Sequence, residues 1–363
     1  MARFTGFLLL LMLACPAWPH KASDGFMYLT LAEQELPSLR LDFALRDLTL
    51  ALPMDNNGDG RLTGAELRQA QPAIAHYLSE RVTVTNDQGP CRFEPRHWGI
   101  SRHSDGVYAA TAIDLHCPGD GQPLSLRYSA LFDRDTLHRG LLLVQRGEHQ
   151  QLAVIAPDTG PVSLAGNGTS PIQTFVSFLE EGVIHLLVGL DHLLFLLVLV
   201  IPVSLTNVGS LRKRLWRLSG VVSAFTLAHS VTLALAALGT LTLPINWVET
   251  VIALSIGVAA LNIVWPLLGP DTWKLAFGFG LIHGFGFASV LGELTTGTSQ
   301  QALALAGFNL GVELGQLMLL VVGFPLLYLL ARFSWYRRAL VPALIVAVCG
   351  VSLVWVVERI PVL

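Results

Sequence analysis

Charge is what this sequence has least of. Only 13 % of its 363 residues are Asp, Glu, Lys or Arg, while 52 % are hydrophobic, a balance too apolar for an ordinary soluble protein. No basic patch stands out, and the net charge is only −3, so nucleic acid is not an expected partner. No glycine-rich nucleotide-binding loop occurs, so any energy input must be electrochemical or come from another protein. Cysteine is scarce as well: there are four, with no C-x-x-C pair, which argues against a cysteine zinc site.

What charge there is lies mostly in the first half. Residues 1–22 read as a signal peptide, with Arg3, an apolar run from Phe4 to Ala14, then small residues and prolines; that run is too short to span comfortably. Residues 23–160 read as an exported β-rich domain. Strand-like runs at Phe26–Ala32, Leu39–Leu52, Val82–Thr85, Gly106–Leu115, Leu124–Phe132, Gly140–Gln145 and Gln151–Ile155 are separated by turn residues, as in a small antiparallel sandwich. One helix, Gly64 to Arg81 and bent at Pro72, interrupts them. Cys91 and Cys117 lie on two alternating segments of this region and should pair in an oxidising compartment. A Gly, Ser, Thr and Pro-rich stretch from Pro157 to Pro171 leads out of the domain, with 161–171 as the linker.

Within the domain, Asp55-Asn56-Asn57-Gly58-Asp59-Gly60-Arg61-Leu62-Thr63-Gly64-Ala65-Glu66 matches the EF-hand loop over 55–66. Asp55, Asn57 and Asp59 supply side-chain oxygens, Arg61 its carbonyl, Thr63 a direct or water-bridged oxygen, and Glu66 closes the shell bidentately. Calcium is the expected ion. The segment before the loop, Leu39–Leu52, reads as strand, and no second hand exists to pair with it, so the expected role is to staple the domain.

Residues 172–363 read as an all-α membrane domain. Six spans are expected, at about 174–202, 215–239, 246–267, 273–292, 302–331 and 339–357. An exported N-terminal domain sends the first span inward. The next loop is then cytoplasmic, and it carries Arg212, Lys213, Arg214 and Arg217; Lys274, Arg332, Arg337 and Arg338 fall on the same side. The outward loops around Leu243 and Thr296 contain no Lys or Arg. That asymmetry is the positive-inside pattern of a multi-pass inner-membrane protein with its C-terminus outside the cytoplasm.

Ionisable groups at membrane depth are costly and mark pathways or sites. The first span contains His185, Asp191 and His192. On a straight helix the two histidines, seven residues apart, would have Cα atoms roughly 10 Å apart, too far to share an ion. Either Gly189 distorts the helix or other helices complete each shell. The second span adds Ser223, Thr226, His229 and Ser230, the fourth His283, and the fifth Asn309, Glu313 and Gln316 on one face. Imidazole with carboxylate suits a first-row divalent metal, with His185, Asp191, His192, His229, His283 and Glu313 as the candidate ligand set.

His185-Leu-Leu-Val-Gly-Leu-Asp191-His192, Phe225-Thr-Leu-Ala-His229, Leu281-Ile-His283-Gly-Phe-Gly and Phe308-Asn309-Leu-Gly-Val-Glu313-Leu-Gly-Gln316 together resemble the HupE/UreJ membrane family. The likeness covers the membrane half, and the domain with its calcium loop resembles exported segments of larger members. The resemblance implies a secondary permease for nickel or cobalt, with the His…Asp-His block as its metal signature. Here Leu186 rather than proline follows the first histidine, and five residues separate it from Asp191.

The leading expectation is therefore a permease rather than an enzyme, with the lipid bilayer and a divalent metal ion as partners. Two alternatives remain open from sequence: an intramembrane hydrolase holding catalytic Zn2+, and a calcium-stapled module that recruits an exported protein partner.

Overall fold

The computed structural model describes residues 24–32, 35–103, 106–120, 122–164, 170–206, 209–241, 243–266, 272–295 and 300–360, with side chains undescribed over 287–295. The expected signal peptide lies outside the described residues. Contacts divide the chain near Thr174 into an N-terminal unit and a helical unit.

The N-terminal unit is mainly β. Strands β1 (Asp24–Leu31), β2 (Ser38–Ala44), β5 (Arg92–His103), β6 (Gly106–His116), β8 (Arg139–Arg146) and β9 (His149–Ile155) form one sheet in the order β5-β6-β2-β1-β8-β9. All its pairs are antiparallel except β1 with β8. A smaller sheet joins β10 (Val162–Ser163), β7 (Ser125–Tyr128), β3 (Val82–Asn86) and β4 (Gly89–Pro90). Both sheets contribute to one core: Leu29, Leu39, Leu41 and Phe43 from the first meet Val82, Val84 and Leu126 from the second. Alternation along each strand sends these residues inward. The Cys91–Cys117 disulfide forms as expected.

Two strand expectations change, and one long strand is not among those expected. Residues 39–52 are not one strand: β2 stops at Ala44 and a helix, α1 (Leu45–Ala51), follows. Leu45 and Leu48 are three residues apart, and Leu48 is completely buried, so the apolar period has switched from two to helical. The run 124–132 is strand only over Ser125–Tyr128, and Leu131 turns the chain with a φ of 63°. Strand β5 escapes a hydrophobicity reading because it is an edge strand with mostly exposed side chains, and its register shifts between Pro95 and His97, where proline is tolerated. The helix expected at Gly64 to Arg81 is α2, with those bounds. Its Leu67, Ile74 and Leu78 join the shared core.

The helical unit holds α3 (Pro171–Val188), α4 (Leu190–Leu205), α5 (Leu211–Ala237), α6 (Ile245–Val264), α7 (Thr272–Thr295), α8 (Gln301–Leu330) and α9 (Val341–Arg359). Among the described residues, four helices are long and apolar enough to cross a membrane. The bent pair α3 and α4, which meet at 70°, makes a fifth if the two together are one span. Helix α7 overlaps residues 273–292, where a span is expected, but it is not among these candidates. This is a membrane protein, its backbone amides paired within helices as a bilayer demands.

Glycine decides how the helices approach. A methyl carbon placed on Gly311 of α8 would stand 2.1 Å from the Leu179 carbonyl oxygen of α3, and one on Gly284 of α7 would stand 2.3 Å from the His229 carbonyl of α5. Such seams let backbones touch where lipid supplies no hydrophobic drive. Their registers also give direction. Phe175 with Gly307 and Leu179 with Gly311 make α3 and α8 parallel, and Phe225 with Gly280 and His229 with Gly284 do the same for α5 and α7. Helices α5 and α8 are antiparallel through Ala237 with Gln301 and Thr226 with Gln316.

Candidate metal centre

The break between α3 and α4 falls at Gly189, whose ψ of 96° leaves the helical region. A side chain there would collide with the His185 carbonyl, at 2.8 Å, and with the His192 ring, at 3.0 Å. His185 therefore sits in the last turn of α3, and Asp191 and His192 in the first turn of α4. The 70° turn replaces the wide separation of a straight helix with ring centres 5.0 Å apart.

His192 is the hub of a wider group. Its ring centre lies 5.5 Å from that of His283 on α7 and 6.1 Å from that of His229 on α5. All three are buried, at 6 %, 1 % and 0 % exposure respectively. Phe195 packs against His283, Phe225 against His229 and Phe308 against His185, making the surroundings dry.

Hydrogen bonds fix which nitrogens are free to ligate. His192 Nδ1 lies 3.0 Å from Asp191 Oδ1, which also accepts the His192 backbone N–H at 2.8 Å. His283 Nδ1 lies 2.9 Å from the Phe279 carbonyl oxygen. A carbonyl only accepts, so His283 carries its proton on Nδ1 and presents a lone pair on Nε2; Asp191 imposes the same tautomer on His192. Among the described residues, His192 Nε2, His283 Nε2 and both nitrogens of His229 are buried without a hydrogen-bond partner. Buried polar atoms without partners are uncommon and need a reason. A metal cation supplies one, and Asp191 then acts as the carboxylate that orients a ligating imidazole.

Two imidazoles on one tetrahedral ion have ring centres about 5 Å apart, given metal–nitrogen bonds of about 2.0–2.1 Å. The rings have about that spacing, but among the described residues no three His, Cys, Asp or Glu side chains converge on one point. Glu313 is placed differently. Its Oε1 accepts a hydrogen bond from Ser223 Oγ at 2.7 Å, and the neighbouring Gln316 accepts one from Thr226 at 2.9 Å.

The sequence profile described as HupE / UreJ protein matches residues 164–359. The chain belongs to the HupE/UreJ family. No curated protein matches it. HupE/UreJ membership points to a membrane role connected with nickel or cobalt transport, and the matched range contains every intramembrane residue named above.

In the N-terminal unit, the loop at 55–66 follows α1 and its last three residues open α2, so a helix flanks it on each side. Asp55 accepts from the backbone N–H groups of Gly58 and Gly60, both at 2.8 Å, and Asn57 from that of Asp59 at 2.9 Å. Gly58 and Gly60 have φ of 71° and 75°, open to glycine without strain. Glu66 accepts from Asn56 N at 3.1 Å and Thr63 N at 2.9 Å. The Thr63 backbone and side-chain hydrogen bonds hold its carboxyl below the usual range. The oxygens of Asp55, Asn57, Asp59 and Glu66 are thus gathered by the loop's own backbone.

Proposed function

We propose that this protein is an inner-membrane secondary permease for a first-row divalent cation, nickel or cobalt before others, and that calcium stabilises its exported domain. One observation carries the first part. Gly189 breaks the first span so that His185 and His192 face each other at 5.0 Å, beside two histidines from other helices. Broken spans whose half-helix ends flank a midplane site recur in secondary transporters. Imidazole suits nickel, cobalt, copper and zinc better than magnesium or calcium. The cation is cargo: it exchanges its water for imidazole nitrogens, crosses, and leaves on the other side.

Six spans and an inward basic loop fit the helix directions. Strict alternation makes the first span parallel to the fifth, the second parallel to the fourth, and the second antiparallel to the fifth; the contacts have those senses. Arg214, in the basic stretch, donates to the carbonyl oxygens of Val203 and Ser204 at the end of α4, where a cation complements the helix dipole.

Cobalt(II) absorption in detergent tests the site. The expected result is one tightly bound ion per chain with a nitrogen-rich ligand field, and at least a tenfold weaker affinity in His192→Ala. Equal affinity in the variant would remove the histidines from the reading.

For the calcium loop, exported sites commonly bind at ~10⁻⁴–10⁻³ M. At about 100 times its dissociation constant, calcium stabilises the folded unit by about 2.7 kcal/mol. Thermal unfolding of the full chain should show an upward shift in calcium against chelator, absent in Glu66→Gln. A shift retained in that variant would locate calcium elsewhere.

A further inference from the structure

We propose that Glu313, with Ser223, Thr226, Asn309 and Gln316, forms a second cation station of oxygen donors beside the histidines, extending from the level of His229 toward the cytoplasmic end. The proposal rests on the permease reading and names the step after the histidines.

The station is a polar seam between α5 and α8. Asn309, Glu313 and Gln316 fall at i, i+4 and i+7 of α8, and so on one face. Across from them, Ser223 Oγ donates to Glu313 Oε1 at 2.7 Å and Thr226 Oγ1 to Gln316 Oε1 at 2.9 Å. Thr226 and Gln316 are buried, with 3 % and 4 % of their surface exposed. Asn309 spends its amide N–H on the Leu305 carbonyl, and among the described residues its buried Oδ1 has no partner.

Helix cohesion alone does not explain an acid here. A glutamine at 313 would accept the same Ser223 hydrogen bond without the ~2.5–3.5 kcal/mol that an acidic side chain costs at the centre of a membrane helix. A carboxylate offers about four lone-pair sites, and Ser223 fills one. The remainder, with the Asn309 carbonyl and the Gln316 amide, is an oxygen-rich set of the kind that holds divalent cations loosely.

Position gives the station its role. Thr226 and Ser223 precede His229 by three and six residues on α5, so they lie about 4.5 Å and 9 Å further along the axis. That displacement is toward Leu211, where the helix begins at the basic stretch. Helix α8 runs the other way, so Gln316 lies about 4.5 Å nearer that end than Glu313, and a cation leaving the imidazoles on that side meets Glu313 before Gln316. Exchange of nitrogen for oxygen ligands lowers the affinity for nickel or cobalt and lets water compete, which is what release requires.

The test uses the full chain in a Glu66→Gln background, so that the calcium loop binds neither probe. Cobalt(II) absorption counts the tight site, Mn(II) paramagnetic resonance counts the weak one, and cobalt uptake into proteoliposomes reports turnover. The parent should show one tight cobalt site and one weaker manganese site. Glu313→Gln should keep cobalt affinity within about twofold, lose the manganese site, and lower uptake at least tenfold; Ser223→Ala should weaken manganese severalfold. His192→Ala should lose cobalt and retain manganese. A parent with cobalt but no manganese site overturns the station and leaves the permease reading intact. Manganese without cobalt overturns the histidine reading alone. Glu313→Gln that weakens both metals together makes Glu313 part of the histidine site and overturns the separate station, as does uptake within twofold of the parent.

Discussion

Replacing Gly311 with leucine is expected to prevent the helical unit from assembling. The added Cβ alone would lie 2.1 Å from the Leu179 carbonyl oxygen and 3.1 Å from the Gly182 Cα. Both obstacles are backbone, so no rotamer change relieves the clash and α3 must move away from α8. The loss should exceed the ~1–3 kcal/mol usual for overpacking, because Gly182 and Gly307 close the same seam. The displaced helix also carries His185. Size exclusion in mild detergent gives the readout, with Gly323→Leu as control, since nothing lies within 4 Å of a side chain there. The control should elute as a single sharp peak and Gly311→Leu should not. Identical profiles would mean that the helices are not packed through glycine.

Exchanging His229 for phenylalanine should separate stability from function. His229 is fully buried, and among the described residues neither ring nitrogen has a hydrogen-bond partner. Leaving a buried polar group unsatisfied costs about 1–3 kcal/mol. Phenylalanine keeps an aromatic ring beside Phe225 and removes both nitrogens. In chelator, the variant should therefore unfold at a higher temperature than the parent, while its cobalt affinity falls at least tenfold. Sites that trade stability for activity behave this way. A variant less stable than the parent in chelator would instead show that His229 is held by structural contacts.

Much of this architecture is written in the sequence. The bounds of α2 and four of the apolar spans follow from capping and hydropathy. The break at Gly189 does not. Val188 and Leu190 flank it, so a hydropathy window sees one continuous apolar run from Phe175 to Ile201. The clue is indirect: two histidines seven residues apart cannot share an ion unless the helix between them bends. Helix α1 was hidden because LRDLTLA offers an alternating pattern as readily as a helical one over seven residues. The separate setting of Glu313 is legible only once Ser223 is seen opposite it, a pairing across ninety positions of sequence.

On the permease reading, the histidines around the Gly189 break carry a divalent cation through the membrane. Flux of nickel, cobalt, copper and zinc into proteoliposomes, with wild type compared against His192→Ala, tests it most directly. The expected result is uptake of nickel or cobalt by the wild type and none above empty vesicles by the variant. Folded wild-type protein that moves none of the four metals would contradict it and redirect attention to a bound zinc and hydrolysis.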